Sequence, residues 1–247
     1  MLTLWAKTSG TWINVFLVSI GTISGLILRH RLSVQMQTII TQAVGLTTIF
    51  IGISMAEVLT RAGVAGIEGI VLGLVALVVG GLLGEWWQLE LRLVTLGDWI
   101  KKRVKGGNRF TDGFVAASLL FCIGPMAILG SLNNGLLGDN TILVVKSTMD
   151  GLVSIALTGT YGIGVGFSVF PILLYQGGLS LLSGSLSQLI ASPDSNPNVL
   201  LVTGVGGIMI LGLGFNLLEA SKIRVASFIP AIAVAPLLGW FARLVLR

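Results

Sequence analysis

The chain has one cysteine, one histidine and only 10% charged residues in 247, and each scarcity removes a class of function. A lone cysteine, Cys122, inside an apolar run excludes an internal disulfide and a thiolate metal cluster, and reads as a small buried hydrophobe. The lone histidine, His30, stands between Arg29 and Arg31 at the end of an apolar segment. That leaves no buried base for a serine nucleophile and no second axial ligand for a haem. A catalytic carboxylate pair would need Asp139 and Asp150 to be brought together by the fold. Neither an enzymatic activity, a metal nor a cofactor is expected. The 15 Lys and Arg outnumber the 10 Asp and Glu, but the basic residues border apolar segments. They read as topology and headgroup anchors rather than a nucleic-acid surface.

What is abundant is apolar: 54% of the residues, with 34 glycines and a mean hydropathy of +0.96. Soluble domains carry roughly 25% charge, so the composition predicts an all-α polytopic transmembrane bundle, a single integral membrane domain over residues 1–247. A bilayer core needs about 20 apolar residues per helix. Spans are expected near 11–28, 39–60, 64–84, 112–132, 141–158, 161–190, 199–218 and 225–245, about eight in all. The first apolar run continues to Leu28 with no small-residue cleavage site, so no removable leader is expected. The sixth stretch holds Gly162, Gly164, Gly166, Pro171, Gly177, Gly178 and Gly184, which predicts a broken helix or two shorter pieces. Pairs such as Gly21 with Gly25, Gly69 with Gly73 and Gly80 with Gly84 predict close helix contacts. Glycine-rich faces also offer a route to a homo-oligomer. With no strand and helix alternation around them, Gly162 to Gly166 and Gly204 to Gly207 fail the context test for a phosphate-binding loop.

Residues 85–109 hold nine of the 25 charged residues. Trp86, Leu89, Leu93, Leu96, Ile100 and Val104 recur at steps of three and four among them, and Lys101, Lys102, Arg103 and Lys105 follow. The pattern predicts an amphipathic helix lying in the cytoplasmic interface. Arg29 with Arg31 and Lys222 with Arg224 fit the same side by the positive-inside rule, whereas Arg243 and Arg247 disagree with it. Gly45, Gly52 and Glu57 are echoed by Gly207, Gly214 and Glu219 at a constant offset of 162. With an even number of intervening crossings the copies run in opposite directions, as in the inverted repeats of secondary transporters.

The run LLFCIGPMAILGSLNNGLLGDN (119–140), followed by KSTMDGLVSIAL (146–157), resembles the signature of the YdfK/YqgA-type family of bacterial membrane proteins, domain of unknown function 554. GTWINV, FSVFPILLYQG and RVASFIPAIAVAPLL are similar to the same family, so the resemblance covers nearly the whole chain. Asn134 stands where the family often has an acidic residue, so charge is not required there. The resemblance implies a multi-pass protein of the bacterial inner membrane and transfers no site residue.

The chemistry of the candidate site comes from polar residues in apolar surroundings. Lys146 and Asp150 are four apart, neighbours on one helix face, within a stretch long enough to span. An ionisable group near mid-membrane costs roughly 2.5–3.5 kcal/mol on insertion scales and usually faces a bundle interior or a wet cavity. The pair either carries an ion or solute, or holds the bundle by mutual neutralisation. Ser131, Asn133, Asn134, Asp139 and Asn140 form either a plain extramembrane turn, the favoured reading, or a broken-helix loop exposed to a cavity. Asn14, Gln176 and Asn216 are expected first as interhelical hydrogen bonds and second as ligand contacts. Two functions are consistent with these features: a small secondary transporter or channel-like carrier of a small solute or ion, and a non-transporting structural or regulatory membrane module acting through partners.

Overall fold

The computed structural model describes residues 3–29, 31–186 and 196–245; His30, Arg247 and the end of the expected sixth span lie outside them. The described chain is helical, with no strand beyond one bridge between Val64 and Ile67 in a turn. Apolar runs at spanning length leave helix as the open-chain way to satisfy every backbone group internally. The helices are α1 (Leu4–Arg29), α2 (Val34–Ala56), α3 (Gly69–Trp86), α4 (Leu89–Val104), α5 (Phe110–Cys122), α6 (Pro125–Leu137), α7 (Thr141–Tyr161), α8 (Val169–Ile172), α9 (Gly178–Leu186), α10 (Pro197–Leu217) and α11 (Ala231–Val245).

Among the described residues six stretches are long and apolar enough to cross a membrane, or seven if α5 and α6 form one bent span. One of the six, Thr141–Ser183, is 43 residues long, about twice what one crossing needs, and it doubles back. Gly10 faces Leu143, Gly21 faces Gly151, and Gly25 faces Ile155 and Thr158, so α1 and α7 run parallel. Beyond Gly162, at φ +79°, the order reverses: Gly166 meets Thr22 and Gly177 meets Thr11. The return leg is interrupted as expected, by a 3-10 segment (Gly162–Ser168), α8, a π-helical turn (Leu173–Gly177) and α9. Counting this hairpin as two legs brings the crossings to seven or eight.

Two expectations need correction. The span expected at 112–132 is two helices bent by 60°, broken at Ile123 and Gly124, where Gly124 adopts φ +151°. The SLNNG segment is therefore neither a plain turn nor a loop, but the last turns of α6. The amphipathic stretch is also divided. Trp86 closes α3, Gln88 turns the chain at φ +53°, and α4 starts at Leu89. Gly97 is the buried residue of α4, against Thr111 and Phe114, while Leu91, Leu96, Trp99 and Val104 are exposed. An exposed apolar edge followed by Lys101, Lys102 and Arg103 suits a helix at a bilayer surface.

The chain divides into two compact units, Met1–Val44 with Val94–Leu189, and Gly45–Leu93 with Ile190–Arg247. The first packs α1 against α7 and the return leg. α1 presents Gly10, Thr11, Asn14, Val18, Gly21, Thr22 and Gly25 inward, a stripe at steps of three and four, and a Cβ at Gly25 would lie 2.6 Å from the Ile155 carbonyl.

The second unit crosses α2 over α10 through glycine. Gly45 lies by the Gly214 carbonyl and Gly52 by the Gly207 carbonyl, so the helices are antiparallel. The offset of 162 turns the first contact into the second, which is the exchange that an inverted pair requires. Gly80 of α3 meets Ala231 at the start of α11, Gly84 meets Ser227 in the 3-10 segment before it (Val225–Phe228), and Gly73 packs on the wedge formed by Leu59.

Candidate functional site in the first unit

Four elements of the first unit bring polar side chains to one level. On α1, Gly10, Thr11 and Asn14 lie opposite Leu143 at the start of α7, Gly177 of the return leg, and Asn134 of α6. Asn14 is fully buried and its Nδ2 donates to Asp150 Oδ2 at 3.0 Å and to Gln176 Oε1 at 3.1 Å. Lys146 Nζ donates to the same Asp150 oxygen in an i,i+4 ion pair, and both partners are under 9% exposed. The two amides and the ion pair therefore form one connected group drawn from α1, α7 and the π-helical turn. That turn supplies Gln176, and π-turns recur at functional positions because the added residue re-aims a side chain.

The group does not use all its hydrogen-bonding capacity. Asn14 Oδ1 and Gln176 Nε2 are buried without a partner among the described residues, as are Thr11 Oγ1, Ser131 Oγ and Ser180 Oγ. Each such group costs about 1–3 kcal/mol when left dry. The arrangement is a small cluster of one anion, one cation, amide and hydroxyl groups, able to replace part of the hydration shell of a small polar guest.

Asn134 does different work. Fully buried, its Nδ2 donates to the Ala6 carbonyl and to Ser9 Oγ, both at 3.0 Å, and its Oδ1 accepts from Gly10 N at 3.0 Å. One side-chain amide thus pairs with the donor and acceptor of a single turn of α1. Gly10 makes room, because a Cβ there would lie 2.7 Å from Leu143 Cβ. Asn140 Nδ2 reaches the same Ser9 Oγ at 3.1 Å. Asn133 is half-buried on α6. Asp139 is exposed; its Oδ1 accepts from Thr141 N at 3.0 Å and Thr141 Oγ1 at 2.6 Å, which satisfies a first-turn donor of α7 and holds the carboxyl below its usual range. Asn216 belongs to the second unit. It bonds both backbone groups of Ile223, at 2.7 and 2.8 Å, and closes the loop after α10.

The profile of the family described as "Protein of unknown function (DUF554)" matches residues 9–240. The chain belongs to that family. It is 31% identical over 227 residues to the "Uncharacterized membrane protein YdfK" of Bacillus subtilis strain 168, over 92% of this chain and 93% of that one. It is also 26% identical over 245 residues to the "Uncharacterized protein YqgA" of Escherichia coli strain K12, over 94% and 99%. No solved structure matches. The chain is thus a membrane protein of this family, with its polar group wholly inside the matched region.

Of the residues singled out from sequence, the fold joins Asn14, Lys146, Asp150 and Gln176 directly, places Ser131 and Asn134 on the neighbouring turns of α6, and sets Asp139 and Asn216 apart. The sequence does not single out Thr11, Ser9 or Ser180. Their only signal was position, Thr11 three before Asn14 and Ser180 four after Gln176, one turn away on the same face. Hydroxyls in helices commonly bond their own i−4 carbonyl, as Ser154 does to Asp150 O, so composition does not separate the two roles.

Proposed function

We propose that the chain is a small secondary transporter or channel-like carrier of a small solute or ion in the bacterial inner membrane, and that it works at the group formed by Asn14, Lys146, Asp150 and Gln176. The observation that carries the reading is the unused capacity around the buried ion pair: Asn14 Oδ1 and Gln176 Nε2 are buried and unpaired among the described residues, beside a carboxylate and an ammonium that a purely structural role does not require. Buried ionisable residues in membrane helices usually mark substrate or ion pathways, and the interrupted return leg is the kind of broken helix on which such sites are built. The role is carriage rather than catalysis. Self-association through a glycine face would have to use positions other than Gly21, Gly25, Gly80 and Gly84, which their own chain covers. The alternative, a non-transporting module, draws support from the Asn134 clamp on α1, which is a fixing contact.

The test is flux in reconstituted vesicles, screening protons, sodium and small anions against empty vesicles, then comparing the wild type with a Lys146→Met, Asp150→Leu double variant. The double variant should insert and fold yet lose flux of the identified species. A folded double variant with wild-type flux removes the site, and a wild type that moves none of the species screened favours the module.

A further inference from the structure

The second unit contains a cavity of about 400 Å³ lined by Leu77 of α3, by Ile208, Gly212 and Phe215 of α10, and by Ile223, Val225 and their neighbours in the loop that follows. Ile208, Phe215 and Ile223 are 36–43% exposed, so the cavity opens to the surface of its unit. The size suits a small-ligand site, roughly 300–1,000 Å³, but such sites hold a few convergent polar groups that orient the guest. Here every lining residue is apolar. The loop Lys222-Ile223-Arg224-Val225 divides apolar from basic side chains. Ile223 and Val225 turn in toward Gly212, where a Cβ would lie 3.3 and 3.4 Å from their methyls. Lys222 and Arg224 are exposed. Both backbone groups of Ile223 are held by Asn216, and Arg224 Nη1 is fixed by Glu85 Oε1 at 2.6 Å. The Glu85 carboxylate offsets the Arg224 charge, so Lys222 supplies the cation next to the slot, and an apolar slot beside a cation has the chemistry of a long hydrocarbon joined to an anion.

We infer that this cavity seats an acyl chain of an anionic phospholipid, with Lys222 meeting its phosphate. Basic residues at a span's end attract anionic headgroups, and the attraction of one such residue corresponds to about a fivefold preference. The site is independent of the polar group in the first unit.

The experiment uses the full chain in lipid nanodiscs with phosphatidylglycerol that carries a diazirine in one acyl chain, photolysed and mapped by mass spectrometry. Adducts should fall on the cavity lining. Unlabelled phosphatidylglycerol should displace the probe about five times better than phosphatidylethanolamine of the same chains. Leu77→Trp should fill the slot and remove the adducts, with folding checked by gel filtration and circular dichroism. Lys222→Gln, on an exposed side chain that leaves packing untouched, should keep the adduct position and lose most of the headgroup preference. Adducts elsewhere or none, equal displacement by the two lipids, or a Lys222→Gln variant with undiminished preference would each overturn the assignment.

Discussion

The two units bury different chemistry. Of the buried polar and charged side chains among the described residues, all but Thr48, Thr203 and Ser227 belong to the first unit, and so do all the buried unpaired polar atoms but Asn198 Oδ1. The second unit instead closes on glycine and alanine: Gly45 and Gly52 against Gly214 and Gly207, and Gly80 against Ala231. A membrane bundle gains nothing from hydrophobic exclusion between helices, so it associates by close backbone packing or by hydrogen bonds. One unit uses the first means and the other adds the second. Close packing needs no polar atoms, so the polar interior of the first unit carries a cost that packing alone does not explain, and the proposed carrier site draws on that difference.

The sharpest way to break this contrast is to strand a charge. Asp150→Ala or Lys146→Ala should lower stability by about 3–5 kcal/mol, because the remaining ion is buried alone, whereas the Lys146→Met, Asp150→Leu double variant should be close to neutral. Thermal unfolding in detergent measures both. A double variant as unstable as the singles would show that Asn14 and Gln176 depend on the pair, making the polar group one structural unit.

In the second unit the largest effect should come from glycine. Gly84→Val drives a side chain into the Ser227 backbone and should cost about 1–3 kcal/mol as overpacking. The exchange of contacts under the 162 offset sharpens this further. Gly52→Ala and Gly214→Ala occupy equivalent places in an inverted pair, and their costs should agree within about 0.5 kcal/mol, the usual error of additivity. A clear disagreement would confine the symmetry to the backbone trace.

Asn134→Leu should cost less, about 1 kcal/mol. It removes a buried amide that serves Ala6 O and Gly10 N, but those two groups are four residues apart in α1 and can close on each other. A loss of more than about 3 kcal/mol would mean that the amide also fixes the helix pair.

Much of this was legible from the chain. Lys146 and Asp150 share a helix face, the small residues at steps of four mark crossings, and the glycines after Tyr161 predict the interruption, because each is a local pattern. The SLNNG segment departs from its local pattern: Asn and Gly favour turns, yet here Asn134 is held in α6 by contacts with α1, and the helix stops only at Gly138 with φ +74°. The meeting of Asn14 with Gln176 joins residues 162 positions apart, and no spacing rule reaches that far. Asn216 looked like a membrane-buried amide, but it serves a loop closed within seven residues.

The smallest effect compares a half-buried carboxylate with an exposed one. Glu90 of the second unit accepts from Ala226 N at 2.9 Å, but burial outweighs that bond and pushes its carboxyl up from the ordinary 4.5. A raised acid favours the protonated form when folded, so its contribution is present below the unfolded value and lost as pH rises through the folded one. Asp139 of the first unit is held below the ordinary 3.8 by Thr141, so its contribution is present above that value and lost as pH falls. Melting profiles from pH 3 to 7 should therefore separate two variants in opposite senses. Glu90→Gln should remove a loss of stability that sets in as pH rises above about 4.5, with a change within about 0.5 kcal/mol at neutral pH. Asp139→Asn should lower the neutral-pH plateau slightly and flatten the fall below about 4. Parallel shifts of both profiles would mean that neither carboxylate is perturbed as its contacts require.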